Sequence, residues 1–129
     1  MKNNQSAEDY LESILMLIEE NGSARSIDVA AELGVTKPSV SVAMKKLREQ
    51  GLIEMDENGL ISFTEVGRST AEKVYNKHKL LRNVLIGIGV DEQVAADEAC
   101  QIEHVISDAT YERIDAFYRT CIEKGYMIK

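Results

Sequence analysis

A chain of 129 residues, 44% hydrophobic and 29% charged, is long enough to bury a core and too apolar to be a disordered tail. No apolar run approaches the roughly 20 residues that cross a bilayer, and the opening MKNNQSAEDY lacks a signal peptide's apolar stretch; no membrane association and a cytoplasmic location are expected. The formal net charge of −7 excludes a uniformly basic nucleic-acid binder, while two cysteines without a disulfide framework suit a reducing compartment.

The first predicted element is a helix from about Ala7 to Glu20, with Tyr10, Leu11, Ile14, Leu15, Leu17 and Ile18 on its apolar stripe and Asn21-Gly22 as its stop. Ser26 is expected to cap a short second helix that ends at Leu33-Gly34, with Ile27, Ala30 and Ala31 inward. Thr36 caps a third, with Pro38 in the first turn, where a missing N–H costs nothing. Its apolar stripe is Val40, Ala43, Met44 and Leu47, and Gly51 ends it. Residues 52–55 and 60–63 then read as short strands around Asp56-Glu57-Asn58-Gly59. A long fourth helix, Val66 among its apolar residues, is predicted from Thr64 to about Gly87. A fifth covers DEQVAADEACQIEHVISD and a sixth starts at Thr110. The predicted fold is mainly α: a winged helix-turn-helix DNA-binding domain with a small β-hairpin wing over 1–66, then an all-helical domain over 67–129.

Charge distribution matters more than net charge, because charges beyond a Debye length of about 10 Å are largely screened at 0.1 M salt. From Leu33 to Arg48 there are four cations, Lys37, Lys45, Lys46 and Arg48, and no acid. On the front and outer face of the third helix, Thr36, Lys37, Pro38, Ser39, Ser41 and Val42 are candidates to meet base edges and phosphates of double-stranded DNA. Lys45, Lys46 and Arg48 would steer toward the backbone. Arg25, and Ser62 or Thr64 beside the wing, are further phosphate candidates. The competing reading is a solvated helix face, or a winged helix that binds protein.

A second constellation concerns metal. Cys100, Glu103 and His104 stand at i, i+3 and i+4, one face of a helix, and Asp9 and Glu12 stand at i, i+3 in the first helix. His78 lies between the two clusters in sequence. Taken singly, each has a bland explanation: an acidic pair is commonly a solvated face, and a lone cysteine such as Cys121 is commonly a small buried hydrophobe. Together, thiolate, carboxylate and imidazole suit a divalent first-row metal.

At these residues the chain resembles the diphtheria-toxin-repressor family of iron- and manganese-dependent regulators, and in length and layout its manganese transport regulator branch. The likeness runs through EDYLESILMLIEENGSARSIDVAAELGV, TKPSVSVAMKKL, the GLI that opens the wing, FTEVG, HKLL and IEH. The resemblance implies metal ligands at Asp9, Glu12, His78, Glu103 and His104. Where the manganese branch has a bridging glutamate, this chain has Cys100, as the iron-responsive branch does. It departs from that branch at Asp9, where methionine would be expected, and in having no counterpart of its C-terminal SH3-like domain. Thiolate gains hard Mn²⁺ little and Fe²⁺ more, so Fe²⁺ is favoured and Mn²⁺ is the other candidate, with one or two ions per subunit. The resemblance further implies a homodimeric repressor, with 67–129 as its metal-binding and dimerisation domain, that binds operator DNA when metal is plentiful and controls metal-uptake genes. The alternatives are a winged-helix regulator of a non-metal ligand and a carboxylate-bound metal enzyme. No second Glu-x-x-His pair, nucleophile with a base, or Gly-rich phosphate loop supports the enzyme.

Overall fold

The computed structural model describes residues 7–127, so the opening MKNNQS, read above as free of a signal peptide, lies outside them. The chain forms two compact units that meet in sequence between Lys73 and Val74. Mainly helical, it carries one two-stranded hairpin among the described residues. None of the described helices is long and apolar enough to cross a membrane.

In the first unit α1 (Ala7–Asn21) buries Tyr10, Leu11, Ile14, Leu15 and Leu17, the stripe that its sequence spaces at helical period. Gly22 follows with φ +84, a left-handed stop that a side chain would resist. α2 (Ser26–Leu33) is capped one residue before the expected Ser26: Arg25 is its N-cap, and its backbone N–H donates to the Asp28 carboxylate at 3.0 Å. That helix buries Val29 and Ala30 while Ile27 and Ala31 face outward, correcting the predicted inward set. With apolar residues around much of so short a helix, its neighbours decide which side is covered. α3 (Lys37–Glu49) is capped as expected, the Thr36 hydroxyl accepting from Ser39 N at 3.2 Å. It turns Val40, Met44 and Leu47 inward.

β1 (Ile53–Met55) and β2 (Ile61–Phe63) pair antiparallel, with Ile53 opposite Phe63 and Met55 opposite Ile61. The Asp56 carboxylate shapes the turn between them, accepting from Asn58 N at 2.8 Å and Leu60 N at 2.9 Å. On the far side of β2, Ile61 N donates to Ala24 O at 2.9 Å, tying the hairpin to the α1–α2 connection. The start of α4 (Glu65–Gly87) is knotted to the foot of the wing. Thr64 Oγ1 donates to Gly51 O at 2.7 Å and accepts from Gly67 N at 3.1 Å. A Cβ on Gly67 would lie 1.8 Å from the Leu52 carbonyl oxygen, so only glycine allows that approach. Val66 is exposed, because this turn of α4 presents Gly67 to the wing.

The second unit comprises α4 from Val74 on, α5 (Glu92–Ile102) and α6 (Asp108–Glu123). The Asp91 carboxylate caps α5, accepting from Gln93 N at 3.1 Å. Sequence periodicity carries this helix to Asp108, but the α-helix ends at Ile102. Ser107 caps α6 by accepting from Thr110 N at 3.1 Å, so α6 begins at Asp108 and not at Thr110. A capping serine takes extended backbone, and here Ser107 sits at φ −79, ψ 166, which stops any helix arriving from Glu103.

Candidate metal centre and recognition helix

Within the second unit the early end of α5 changes how the predicted ligands are held. Cys100 is on the last turn of the helix, Glu103 is its C-cap and His104 lies in the turn beyond. The three are therefore not strictly on one helical face, as i, i+3, i+4 spacing implies. Their donor atoms nevertheless come within 4.8 Å of one another. The Glu103 side chain is 0% exposed and has an imidazole on each side: Oε1 is 2.9 Å from His78 Nδ1, and Oε2 is 3.6 Å from His104 Nε2.

A carboxylate fully removed from water is costly unless a proton or cation accompanies it. Here two imidazoles and a thiol converge on one, a mixed donor set suited to a divalent first-row ion. Each oxygen of Glu103 faces a different histidine, which is the arrangement a carboxylate needs to serve two neighbouring positions. By contrast, Cys121 is a buried thiol of α6, as its spacing suggested, although Phe117 one turn earlier is exposed.

In the first unit Asp9 and Glu12 stand one turn apart on α1, Asp9 partly exposed and Glu12 buried. The Tyr10 phenol between them is pushed above its ordinary pKa, chiefly by burial and further by the Asp9 charge.

The recognition-helix candidates form the exposed side of α3. Thr36, Lys37, Pro38, Ser39, Ser41, Val42, Lys45, Lys46 and Arg48 are all exposed, opposite buried Val40, Met44 and Leu47. Arg25 is exposed as well, ahead of α2. Two candidates have structural duties. Thr36 caps α3 and donates its hydroxyl proton to Ser39 Oγ at 2.9 Å, and the Thr64 hydroxyl is held by Gly51 and Leu52 carbonyls. The wing carries Glu54, Asp56 and Glu57 and no cation, so attraction for phosphate is concentrated on α3.

Sequence reasoning missed two contributors to these sites. Gly67, with Thr64, carried a local signal in its Thr-x-x-Gly spacing after a strand. Lys77, which donates to Ile106 O at 3.4 Å across 29 positions of sequence, carried none.

An exposed basic helix after a turn, a hairpin wing behind it and a histidine-carboxylate-thiol cluster in a following helical unit define a class: winged-helix regulators with a metal-binding body. Comparison with known proteins narrows the class. The iron dependent repressor N-terminal DNA binding domain matches residues 4–60, and the iron dependent repressor metal binding and dimerisation domain matches residues 64–123. The transcriptional regulator MntR of Escherichia coli O6:H1 is 38% identical over 110 residues, covering 85% of this chain and 69% of that protein. MntR of Bacillus pumilus is 38% identical over 128 residues, covering 96% and 88%. Among solved structures, the manganese regulator SloR superposes with a TM-score of 0.79 at 30% identity, over 91% of this chain and 55% of that one. IdeR of T. acidophilum gives a TM-score of 0.80 at 26% identity, over 91% and 55%. The chain thus spans about half the length of these solved relatives. It belongs to the diphtheria-toxin-repressor family of metal-dependent transcriptional regulators.

Proposed function

We propose that this protein is a metal-dependent, DNA-binding transcriptional repressor that senses Fe²⁺ or Mn²⁺ and controls metal-uptake genes. The observation that carries the reading is the buried Glu103 carboxylate set between His78 and His104, in a chain whose α3 offers an exposed, cationic face. Asp9, Cys100, Glu103 and His104 are assigned to one ion, and Glu12, His78 and Glu103 to a second. An ion bound there would supply positive charge that holds carboxylates, imidazole and thiolate from both units in one fixed arrangement.

What the chain's own residues then do is mechanical and electrostatic. α1 belongs to the DNA-reading unit, so fixing Asp9 and Glu12 to ligands of the helical unit would restrict where α3 can go. In a homodimer formed through the helical unit, that restriction sets the separation of two recognition helices against half-sites about 34 Å apart. Lys37, Ser39, Ser41 and Val42 are assigned to base edges and nearby phosphates, and Arg25, Lys45 and Lys46 to the backbone. Linkage requires DNA to tighten metal binding by the same factor by which metal tightens DNA binding.

Two observations bear on metal identity. Among the relatives named above, SloR is a manganese regulator, which favours Mn²⁺. Cys100 favours Fe²⁺, because a soft thiolate gains more from it than from Mn²⁺. Anaerobic titration of each metal, read by operator binding, decides between them. Fe²⁺ activating at lower free concentration supports the thiolate argument, and Mn²⁺ doing so reverses it. A chelator that leaves DNA binding unchanged would remove the sensor reading altogether.

A further inference from the structure

The metal-site assignment leaves unexplained what holds Glu103 and His104 in place, since both lie at or beyond the end of α5. His104 N donates to Gln101 O at 3.4 Å and Val105 N to Ile102 O at 3.0 Å, so the segment is turned back on the end of α5, and the Ser107 cap of α6 bounds its far side. Two consecutive residues of α4 reach across to it. His78 meets Glu103 at its start, and Lys77 meets its end, with Nζ 3.4 Å from Ile106 O and 3.2 Å from Asp108 Oδ1. The Lys77 side chain is only 16% exposed, so its ammonium is drawn out of most of its water to make these contacts.

We infer that Lys77 is a positioning residue for the metal site: it pins the α5–α6 connection at Ile106 and Asp108, so that Glu103 and His104 are held ready before a cation arrives. Charge placement supports this role. An ammonium one residue from His78 would oppose a divalent cation, and the Asp108 carboxylate beside it offsets that charge. Asp108 is itself favoured in the first turn of α6, where the helix dipole welcomes an anion. A second pin near the ligands shortens the span that can drift, so less ordering is left to be done when metal binds. Partners that orient ligands in this way typically change metal affinity by roughly 10- to 100-fold when removed.

The inference rests on the metal-site reading above, and the experiment separates the two. Full-length parent, Lys77→Met and Lys77→Arg proteins are titrated anaerobically with Co²⁺, following the thiolate-to-cobalt absorption expected from Cys100. Amide hydrogen exchange is then mapped on the metal-free proteins. The expected result is a roughly tenfold weaker Co²⁺ affinity for Lys77→Met, with the same final spectrum, and recovery in Lys77→Arg, which keeps the charge and donors. In metal-free Lys77→Met, exchange should accelerate at residues 103–107 and stay at the parental rate in the middle of α6. Equal Co²⁺ affinity in parent and Lys77→Met overturns the inference. So does acceleration spread evenly through α6, the mark of general destabilisation. If the parent gives no cobalt spectrum, the metal-site reading fails, and positioning of ligands by Lys77 fails with it. An accelerated 103–107 segment would then leave Lys77 as a purely local tie.

Discussion

Residues up to Lys73 bury Leu11, Ile14, Leu15, Val29, Val40, Met44, Leu47, Ile53 and Ile61 along with Glu12, whereas those from Val74 onward bury Val74, Leu80, Leu81 and Tyr118, small Ala95, Ala99 and Cys121, and the Glu103 carboxylate. The outer surfaces differ in the opposite sense. Ile88, Val94, Val105, Phe117 and Tyr126 are exposed in the second unit, against Ile27, Val42 and Val66 in the first. Burial of a large apolar side chain contributes about 1.5–3 kcal/mol, so the DNA-reading unit draws its order from its own core. The helical unit surrounds a polar centre and leaves apolar surface outside, which suits a body completed by a partner copy and a bound cation.

Four experiments would break or sharpen that contrast. The largest effect is expected at Gly67, where alanine would drive a Cβ into the Leu52 carbonyl. Loss of about 3 kcal/mol or more, seen as a collapsed winged-helix melting transition in circular dichroism, is the expected outcome. Next, Glu103→Ala or His104→Ala should remove metal-dependent operator binding, a loss on the order of 100-fold, while the metal-free fold persists. A variant that still answers metal like the parent would dissolve the assignment of these ligands. Smaller changes are expected on α3. Lys45→Ala and Lys46→Ala should each lower the slope of log affinity against log salt by about 1, without altering metal affinity in the absence of DNA.

The smallest effect compares the units through one tyrosine each. Burial first, with Asp9 adding, raises the Tyr10 phenol; burial first, with Asp115 adding and Arg119 opposing, raises Tyr111. A phenol with a folded pKa above its unfolded one keeps its proton better in the native state. Its contribution is therefore whole below about pH 10 and is lost as pH climbs through the raised value. Tyr10→Phe should flatten the alkaline fall in melting temperature for the DNA-reading unit, and Tyr111→Phe for the helical one. No change in either alkaline limb would mean that neither phenol gains protection by folding.

Much of this was legible in the residues because it is local. The Tyr10-Leu11-Ile14-Leu15 stripe, Thr36 ahead of Pro38, and the turn at Asp56 to Gly59 each carry their structure in a few neighbouring positions. The family likeness rests on the same stretches. What was not legible depends on partners distant in sequence. Periodicity ran α5 on through Glu103 because nothing in QIEHVI opposes helix; the stop comes from Ser107, whose role as a cap depends on α6 starting at Asp108. The inward face of α2 was misread because apolar Ile27, Val29 and Ala31 compete and only the surrounding elements choose. Lys77 looked like one cation among several in KHKLLR. Its importance lies in a carbonyl 29 positions away.

The knot at Thr64 and Gly67 has a consequence for how such proteins can be rebuilt. α4 leaves the wing without a loop and runs unbroken past Lys73 to Gly87, so the sequence boundary between the two units falls inside a helix. Helical phase then acts as a key. Adding or deleting one residue along that stretch would turn everything downstream by about 100° and shift it by about 1.5 Å. Chimaeras that graft this sensor onto another DNA-reading head must therefore preserve the count of residues between Gly67 and His78.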